Sequence, residues 1–550
     1  MRLKATCSFL AALAILCAQS PSRIATGLET IKASELKTDL THISSDQFEG
    51  RLSLAPGSEL VIKWIAAEFK KAGLKPIAGD SYLQPVPLID YRADRQANSL
   101  TLRMTGKEEV FHAPDATSNF PNPTDMKGQV VFAGFGITAP ELRYDDYAGL
   151  DARGKIVLVF NHEPQEDDAR SIFNGKGNTR YANTRAKMTN AARHGAVALL
   201  IMPDPNHPPG MTRGRAAGTG RGGDKQGKGK QGPGQGGVPL RPQQALADDG
   251  SIPVFNVNEK LGEQLLSVTE RKPGEIQADI DSTLKPQPLK LSGIEVALHT
   301  ATAARRVANS YNVAGVIEGS DPALAAETIV FSGHYDHDGP APNGGIFHGA
   351  DDNGSGTVGV VALARAFAKN PIKPRRSLLF IVFAAEERGL LGSYYYCMHP
   401  LRPLATTRAV INFDMIGRNE APSNQTNGLM EIAEDTSNEL NLIGAKYSPD
   451  YKAIAERNNN MVGLALNYKW DEDTVLNVLF RSDQYPFLMH DIPAFWWFTG
   501  FHPDYHQTTD TAEKINYVKM EKILKLAFLT GFDFADGATP PKFQSQIGRR

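Results

Sequence analysis

The sequence predicts a multidomain α/β protein: a mixed, mostly parallel sheet flanked by helices, with a separate β-rich insert. Three observations predict it. At 550 residues the chain exceeds what one ordinary core accommodates. Beyond Asn309, continuous apolar runs of strand length alternate with amphipathic segments of helix length, as strands buried on both faces require. Between about residues 127 and 289 the pattern changes to short apolar runs punctuated by glycine.

The elements follow in order. Arg2 and Lys4 precede a short apolar core, Phe9 to Ala18, which reads as an export signal over residues 1–26, cleaved between Ala18 and Ala25. A lipid-anchored Cys17 is the rival reading, disfavoured by the bulk of Leu16 before it. The first part of the main domain, 27–126, opens with helices over Ile31–His42 and Ser58–Ala72, with Ser58 as cap and Gly73 as stop. The insert, 127–289, holds strands at Gly128–Gly136, Lys155–Phe160, Ala196–Met202 and Ile252–Val257, with a helix over Arg180–His194. Within it, residues 210–237 are rich in Gly, Lys, Arg and Gln, with almost nothing to bury, and predict a mobile loop. The main domain resumes over 290–540. It has a helix at Ser355–Lys369, strands at Ser377–Ala384, Arg408–Asp414 and Ala494–Thr499, and a closing helix at Tyr517–Phe532.

Composition narrows the function. A net charge of −2 gives no support for nucleic-acid binding. No stretch beyond the signal approaches the ~20 apolar residues of a membrane span. With the signal removed, Cys397 stands alone, so neither a disulfide nor a thiolate metal site can form, and a bacterial periplasmic or secreted location fits best.

Each main-domain strand runs into ligand-type residues. Thr328–Phe331 leads to His334, Asp336, His337 and Asp338, followed by Asp351-Asp352-Asn353-Gly354. Phe380–Ala385 leads to Glu386-Glu387, Val410–Phe413 to Asp414, and the Trp496-Trp497 strand to His502 and His506. Any one of these alone is more readily a cap, a turn or a hydrogen-bonded histidine. Four such endings in one domain point to a metal site at the crevice where strand ends meet. With thiolates excluded, that metal must be held by His, Asp and Glu.

The segments His334-Tyr-Asp336, Asp352-Asn-Gly-Ser355-Gly, Glu386-Glu387-Arg-Gly-Leu-Leu-Gly-Ser393, Asn412-Phe-Asp414 and Tyr505-His506 resemble those of the co-catalytic dizinc exopeptidases. That family includes bacterial double-zinc aminopeptidases and glutamate carboxypeptidase, with the transferrin receptor as a non-catalytic relative. The insert resembles the protease-associated domain of many members, on its strand pattern and on Tyr144-Asp-Asp-Tyr147 followed by Gly154-Lys-Ile-Val-Leu158. The resemblance implies a zinc-exopeptidase fold and two Zn²⁺ per chain. His334 and Asp414 would hold one ion, Glu387 and His506 the other, and Asp352 would bridge them. Glu386 would be the general base, Asp336 would orient His334, and Tyr505 would stabilise the reacting oxyanion. His337, Asp338, His348, His502 and Asp504 match no ligand position and are expected behind the ligands or around the rim, with His337 placed to influence the pocket.

The resemblance also implies peptide or protein substrates. The segment Arg481–Phe487 resembles the lining of the specificity pocket, where Asp483 could meet a substrate amine and Arg481 a carboxylate. Release of N-terminal residues is the favoured reading. A glutamate-type carboxypeptidase, a single-zinc glutaminyl cyclase and a non-catalytic receptor-like protein are the alternatives.

Overall fold

Two sheets organise the protein, whose computed structural model describes residues 20–175, 177–207, 243–342, 344–426 and 428–544. The larger sheet runs from edge to edge through Gln243–Leu246, Leu83–Ala93, Thr302–Ile317, Ser377–Phe383, Thr328–His334, Thr407–Phe413, Ala494–Phe498, Glu439–Ile443 and Ala465–Asn467. Four adjacent strands, 377–383, 328–334, 407–413 and 494–498, are mutually parallel, so their carboxyl ends leave the sheet on one side. They are buried almost throughout, which is why they read as continuous apolar runs rather than alternating ones.

Helices cover both faces. Ala33–Ile43, Pro56–Ala72, Gly356–Lys369 and Tyr517–Asp536 share one core with the sheet. There Phe331 stacks on Phe380 at 5.1 Å and Phe367 lies against Phe528 at 4.2 Å. Gly531 lets the last helix approach, since a Cβ there would lie 2.2 Å from the Phe331 ring. On the opposite face, Phe383, Tyr396, Phe487, Trp496 and Phe498 form a second aromatic core. Each such side chain contributes roughly 1.5–3 kcal/mol by leaving water.

The second sheet has the order Lys107–Phe111, Ser99–Met104, Pro288–Thr300, Thr124–Ala133, Ile156–Phe160, Ala198–Met202, Val254–Val257 and Ala116–Thr117. Alternate residues serve its two faces. Ile156 and Leu158 pack with Leu261 and Ile276 of the helices Glu259–Leu266 and Pro273–Thr283, whereas Val157 and Val159 pack with Met188 and Ala191 of Thr184–Arg193.

Several sequence boundaries shift. Residues 99–117, expected in the first part of the main domain, pair into the second sheet, and Gln243–Leu246, expected in the insert, pairs with Leu83–Ala93. The cause is the Pro288–Thr300 strand, flanked by Ser99–Met104 on one side and Thr124–Ala133 on the other. The chain therefore crosses between sheets at Asp94 and Ala301, where the Asp94 amide donates to the Ala301 carbonyl at 2.9 Å. At the start of the chain, the helix Ser20–Glu29 runs across the expected signal boundary and buries Ile24 in the main core. The rest of the expected signal, residues 1–19, and the glycine-rich 210–237 lie outside the described residues. The second helix begins at Pro56, favoured at a first helical position, so Ser58 does not cap it; its hydroxyl donates to the Ala55 carbonyl. Gly73 ends that helix in the left-handed conformation, as expected. Among the described residues, no helix is long and apolar enough to cross a membrane.

One buried cation ties the opening helices to the strand ends. Arg51 donates to the carbonyls of Tyr335, His348 and Gly349 at 2.7 Å each and to that of Ile43 at 3.1 Å. Burial lowers its pKa to about 10, against the pull of Asp510 and Asp352. Replacing Arg51 by Met would strand these carbonyls, and the expected cost is about 3–5 kcal/mol. Lys should rescue little, because it lacks the planar fork. Chemical denaturation of the three proteins checks both statements.

Candidate metal centre

The parallel strand ends deliver their side chains to one point. His334 is the last residue of its strand, hydrogen-bonded in register beside Phe383, while Ser332 pairs with Asn412 two residues before Asp414. Its Nε2 lies 3.5 Å from Asp414 Oδ1, 3.6 Å from Asp352 Oδ1 and 3.6 Å from Glu386 Oε2. On the other side of Asp352, His506 Nε2 is 3.1 Å from Asp352 Oδ2 and 3.4 Å from Glu387 Oε2. Asp352 thus turns one oxygen to each imidazole. An ion with bonds of about 2.0–2.2 Å in tetrahedral array holds its ligand atoms roughly 3.3–3.6 Å apart. The spacing fits that requirement, and His334–Asp352–Asp414 and His337–Asp352–Glu387 each form a group able to hold an ion.

The electrostatics fit as well. Burial opposes a charge on His334, yet Glu386 and Asp414 hold its imidazole well above the ordinary histidine range. His506 behaves alike, raised against its burial by Glu387, Tyr505 and Asp338. Burial would raise the Glu387 carboxyl, but His506 and His337 hold it far below the usual range. Such shifts mark a pocket with more buried negative than positive charge. His334 Nε2, His337 Nε2 and Glu387 Oε2 also lack hydrogen-bond partners among the described residues, leaving donor atoms aimed inward for a cation.

Supporting groups fix the arrangement. Asp336 accepts the amides of Glu386 and Glu387 at 2.9 and 3.2 Å, so its carboxylate shapes that turn. His334 Nδ1 meets the Asp336 carbonyl at 3.1 Å, with the carboxylate at 3.7 Å. The expected orienting contact is therefore made chiefly by the backbone of Asp336. Asp510 accepts the amides of Asp351 and Asp352, and Asn353 donates to the Phe413 carbonyl. Ala385, Met415 and His506 sit at positive φ beside or within the ligand set, a strain that clusters where a surrounding fold dictates side-chain aim.

Asp351 takes a different course from Asp352. It faces His502 Nε2 at 3.2 Å and accepts the Gly417 amide at 2.7 Å. Of the residues expected behind the ligands or around the rim, His337 is buried and lies 2.8 Å from Glu387 Oε1, and Asp338 receives His506 Nδ1 at 3.0 Å. The alternation His334-Asp336-His337-Asp338 was the only sequence signal for either.

Asp483, expected to meet a substrate amine, is wholly buried, accepts from the Ser393 hydroxyl at 2.6 Å, and has its pKa raised to about 7 by burial. Arg481 donates to the Tyr505 hydroxyl at 3.0 Å and lies over the Phe501 ring, which places it beside the site through Tyr505.

A zinc-exopeptidase-type α/β fold with an inserted β-rich domain is thus the class that the sheets and strand-end donors define. Residues 312–530 match Peptidase family M28, and residues 110–265 match the PA domain. The main domain belongs to that peptidase family, and the insert is a PA domain. A probable zinc metalloprotease of Pyrenophora tritici-repentis is 31% identical over 166 residues, covering 28% of this chain and 36% of its own. A probable leucine aminopeptidase 2 of Aspergillus oryzae is 28% identical over 193 residues, covering 35% and 34%. The chain spans about a third of the length of these curated relatives. Among solved structures, the aminopeptidase from Aneurinibacillus sp. strain AM-1 aligns over 96% of this chain and 98% of its own, with 19% identity and a TM-score of 0.46.

The neighbouring aspartates can be told apart. Asp351→Asn is expected to cost about 3 kcal/mol by disturbing a fully buried pair, while leaving divalent-metal binding largely intact. Asp352→Asn should lose bound metal with a smaller effect on stability. Denaturation and metal content of both variants check this contrast.

Proposed function

We propose that this protein is an exported, zinc-dependent aminopeptidase that hydrolyses N-terminal residues from peptides at a two-ion site. The observation that carries the reading is the Asp352 carboxylate between the buried His334 imidazole and the half-buried His506 imidazole, with Asp414 and Glu386 beside His334 and Glu387 beside His506. His334 and Asp414 would hold one zinc, His506 and Glu387 the other, and Asp352 both. Bound there, the pair would supply Lewis acidity toward the scissile carbonyl and toward a water.

This chain's own residues then divide the remaining work. Glu386 is buried next to that ligand set, and its amide is anchored on Asp336, so its carboxylate is placed to take the water proton and pass it to the leaving amine. Tyr505 follows on the next face of the pocket, its ring 4.2 Å from that of His506. Arg481 fixes the Tyr505 hydroxyl so that it can donate to the oxygen that gains charge. His337 and Asp338 hold Glu387 and His506 in aim, as second partners of metal ligands do.

The amino-terminal direction is supported by relatives named leucine aminopeptidase. Export is supported by the basic and apolar start of the sequence.

Aminoacyl substrates with a free amine should be cleaved and N-blocked peptides spared, and a chelator should abolish turnover until zinc is restored. Equal cleavage of blocked peptides would remove the aminopeptidase reading. Glu386→Gln is expected to retain zinc and lose about 10²–10⁴-fold in kcat. Tyr505→Phe should lose roughly 10²–10³-fold in kcat, with KM little changed. Steady-state kinetics with parallel metal analysis reads both.

A further inference from the structure

The inserted domain carries its own convergence of imidazoles and carboxylates, far in sequence from the strand ends of the peptidase domain. We propose that His162, Glu166, Asp204 and His207 form a separate site for one divalent transition-metal ion of the zinc type, serving structure rather than catalysis.

The four side chains each offer a donor atom, and all four atoms lie within 4.8 Å of one another. His162 Nδ1 is 2.6 Å from Glu166 Oε2, and His207 Nδ1 is 3.0 Å from Asp204 Oδ2 and 3.5 Å from Glu166 Oε2. The two imidazoles stack face to face, 5.1 Å apart and 3° from parallel. The Glu166 and Asp204 side chains are only 2% and 0% exposed, so their charges are not dissipated in water.

Their surroundings add negative charge. Glu163 is buried next in line, Asp281 accepts from the Gln165 amide and from Asn206, and Asp167 lies at the outer edge. Among the described residues, Lys187 is the buried cation here, and its ammonium is spent on the carbonyls of Phe135 and His162. Two buried carboxylates meeting two imidazoles under these conditions ask for a cation between them.

The outer contacts fit the same reading. A ligating histidine usually gives its second ring nitrogen to a carboxylate or carbonyl, which fixes its tautomer. His207 does so: with Nδ1 turned to the cluster, its Nε2 lies 3.2 Å from Asp167 Oδ2. Two imidazole nitrogens and two carboxylate oxygens make a tetrahedral zinc donor set, whereas calcium and magnesium take oxygen ligands.

The consequence is mechanical. The loop leaving His162 accepts the Thr179 amide through Glu163 and then presents Arg180 to the peptidase domain. There Arg180 donates to the Leu488 carbonyl at 2.7 Å and to Asp491 at 2.6 Å, and its own carbonyl receives the Tyr485 hydroxyl. An ion at the loop's origin would tie His162 to the segment carrying Asp204 and His207 and so stiffen the support of this contact.

The test is zinc stoichiometry on the full-length protein, stripped of metal, dialysed against buffered zinc chloride and assayed by elemental analysis. Wild type should bind one more ion per chain than His162→Ala/His207→Ala. The same difference of one is expected in an Asp352→Asn background, where the strand-end site is disabled, so the result stands apart from the proposed catalytic reading. Glu166→Gln, a nearly isosteric change, should weaken the extra ion at least tenfold while circular dichroism stays that of wild type. Zinc-edge anomalous scattering should place a peak among the four residues. Equal stoichiometry in wild type and the double variant, or saturated crystals without that peak, would overturn the proposal.

Discussion

Burying like charge is the constraint on which the rest of the main domain depends. Four parallel strands open onto one edge, and His334, Glu386, Glu387 and Asp414 all leave from it, with Asp352 brought in by the following loop. Carboxylates so close and so poorly hydrated repel one another and resist ionisation unless positive charge accompanies them. Part of that charge is built in: Arg51 beneath the loop, Arg388 on Asp338, and Arg418 near Asp504 and Asp510. None of these cations reaches the point between His334 and His506. There, among the described residues, the groups that can carry positive charge are the two imidazoles, both raised above the ordinary histidine range by the carboxylates around them.

The same constraint explains why so many backbone groups are recruited around the site. Asp336 and Asp510 both accept amides of the residues whose side chains they support, which anchors the main chain of Glu386, Glu387, Asp351 and Asp352. His337 and the Gly417 amide then hold the Glu387 and Asp351 carboxylates in aim. Positive φ at Ala385, Met415 and His506 follows from the same demand, because a regular strand exit would aim these side chains along the sheet instead of across its edge.

Strand ends were legible because both-face burial writes itself as an unbroken apolar run, and the polar residue that ends such a run stands out: Phe383 before Glu386-Glu387, Phe413 before Asp414. The long pairing of Leu83–Ala93 with Thr302–Ile317 was not, since Pro85, Pro87 and the run Ala303-Ala304-Arg305-Arg306 obscure any period of two. Domain limits failed for a related reason. Glycine-punctuated runs mark the middle of the insert, but its outer strands are polar and half-exposed, and only pairing with Pro288–Thr300 assigns Ser99–Met104 to it. Within the site, the choice of Asp352 over Asp351 rested on the family resemblance, and neither that nor the spacing of residues could reveal burial. Hence the sequence does not show that His337 turns inward beside Glu387 or that Asp483 lies buried against Ser393.

Contacts between the two domains bear on how the pocket is shaped. The segment 481–488 lies between them: Arg481 holds Tyr505 over the strand ends, while Tyr485 and the Leu488 carbonyl receive the insert through Arg180. Tyr447 adds to the same junction by accepting the Arg180 amide, and Phe543 stacks on Tyr447 and lies under the guanidinium. A short helix, Gln484–Leu488, contains both Tyr485 and Leu488 and begins just after Arg481, the residue that positions Tyr505. Any displacement of the insert therefore acts first on this helix, and through its N-terminal side on the Arg481–Tyr505 pair. Through this helix the insert therefore bears on where Arg481 holds Tyr505.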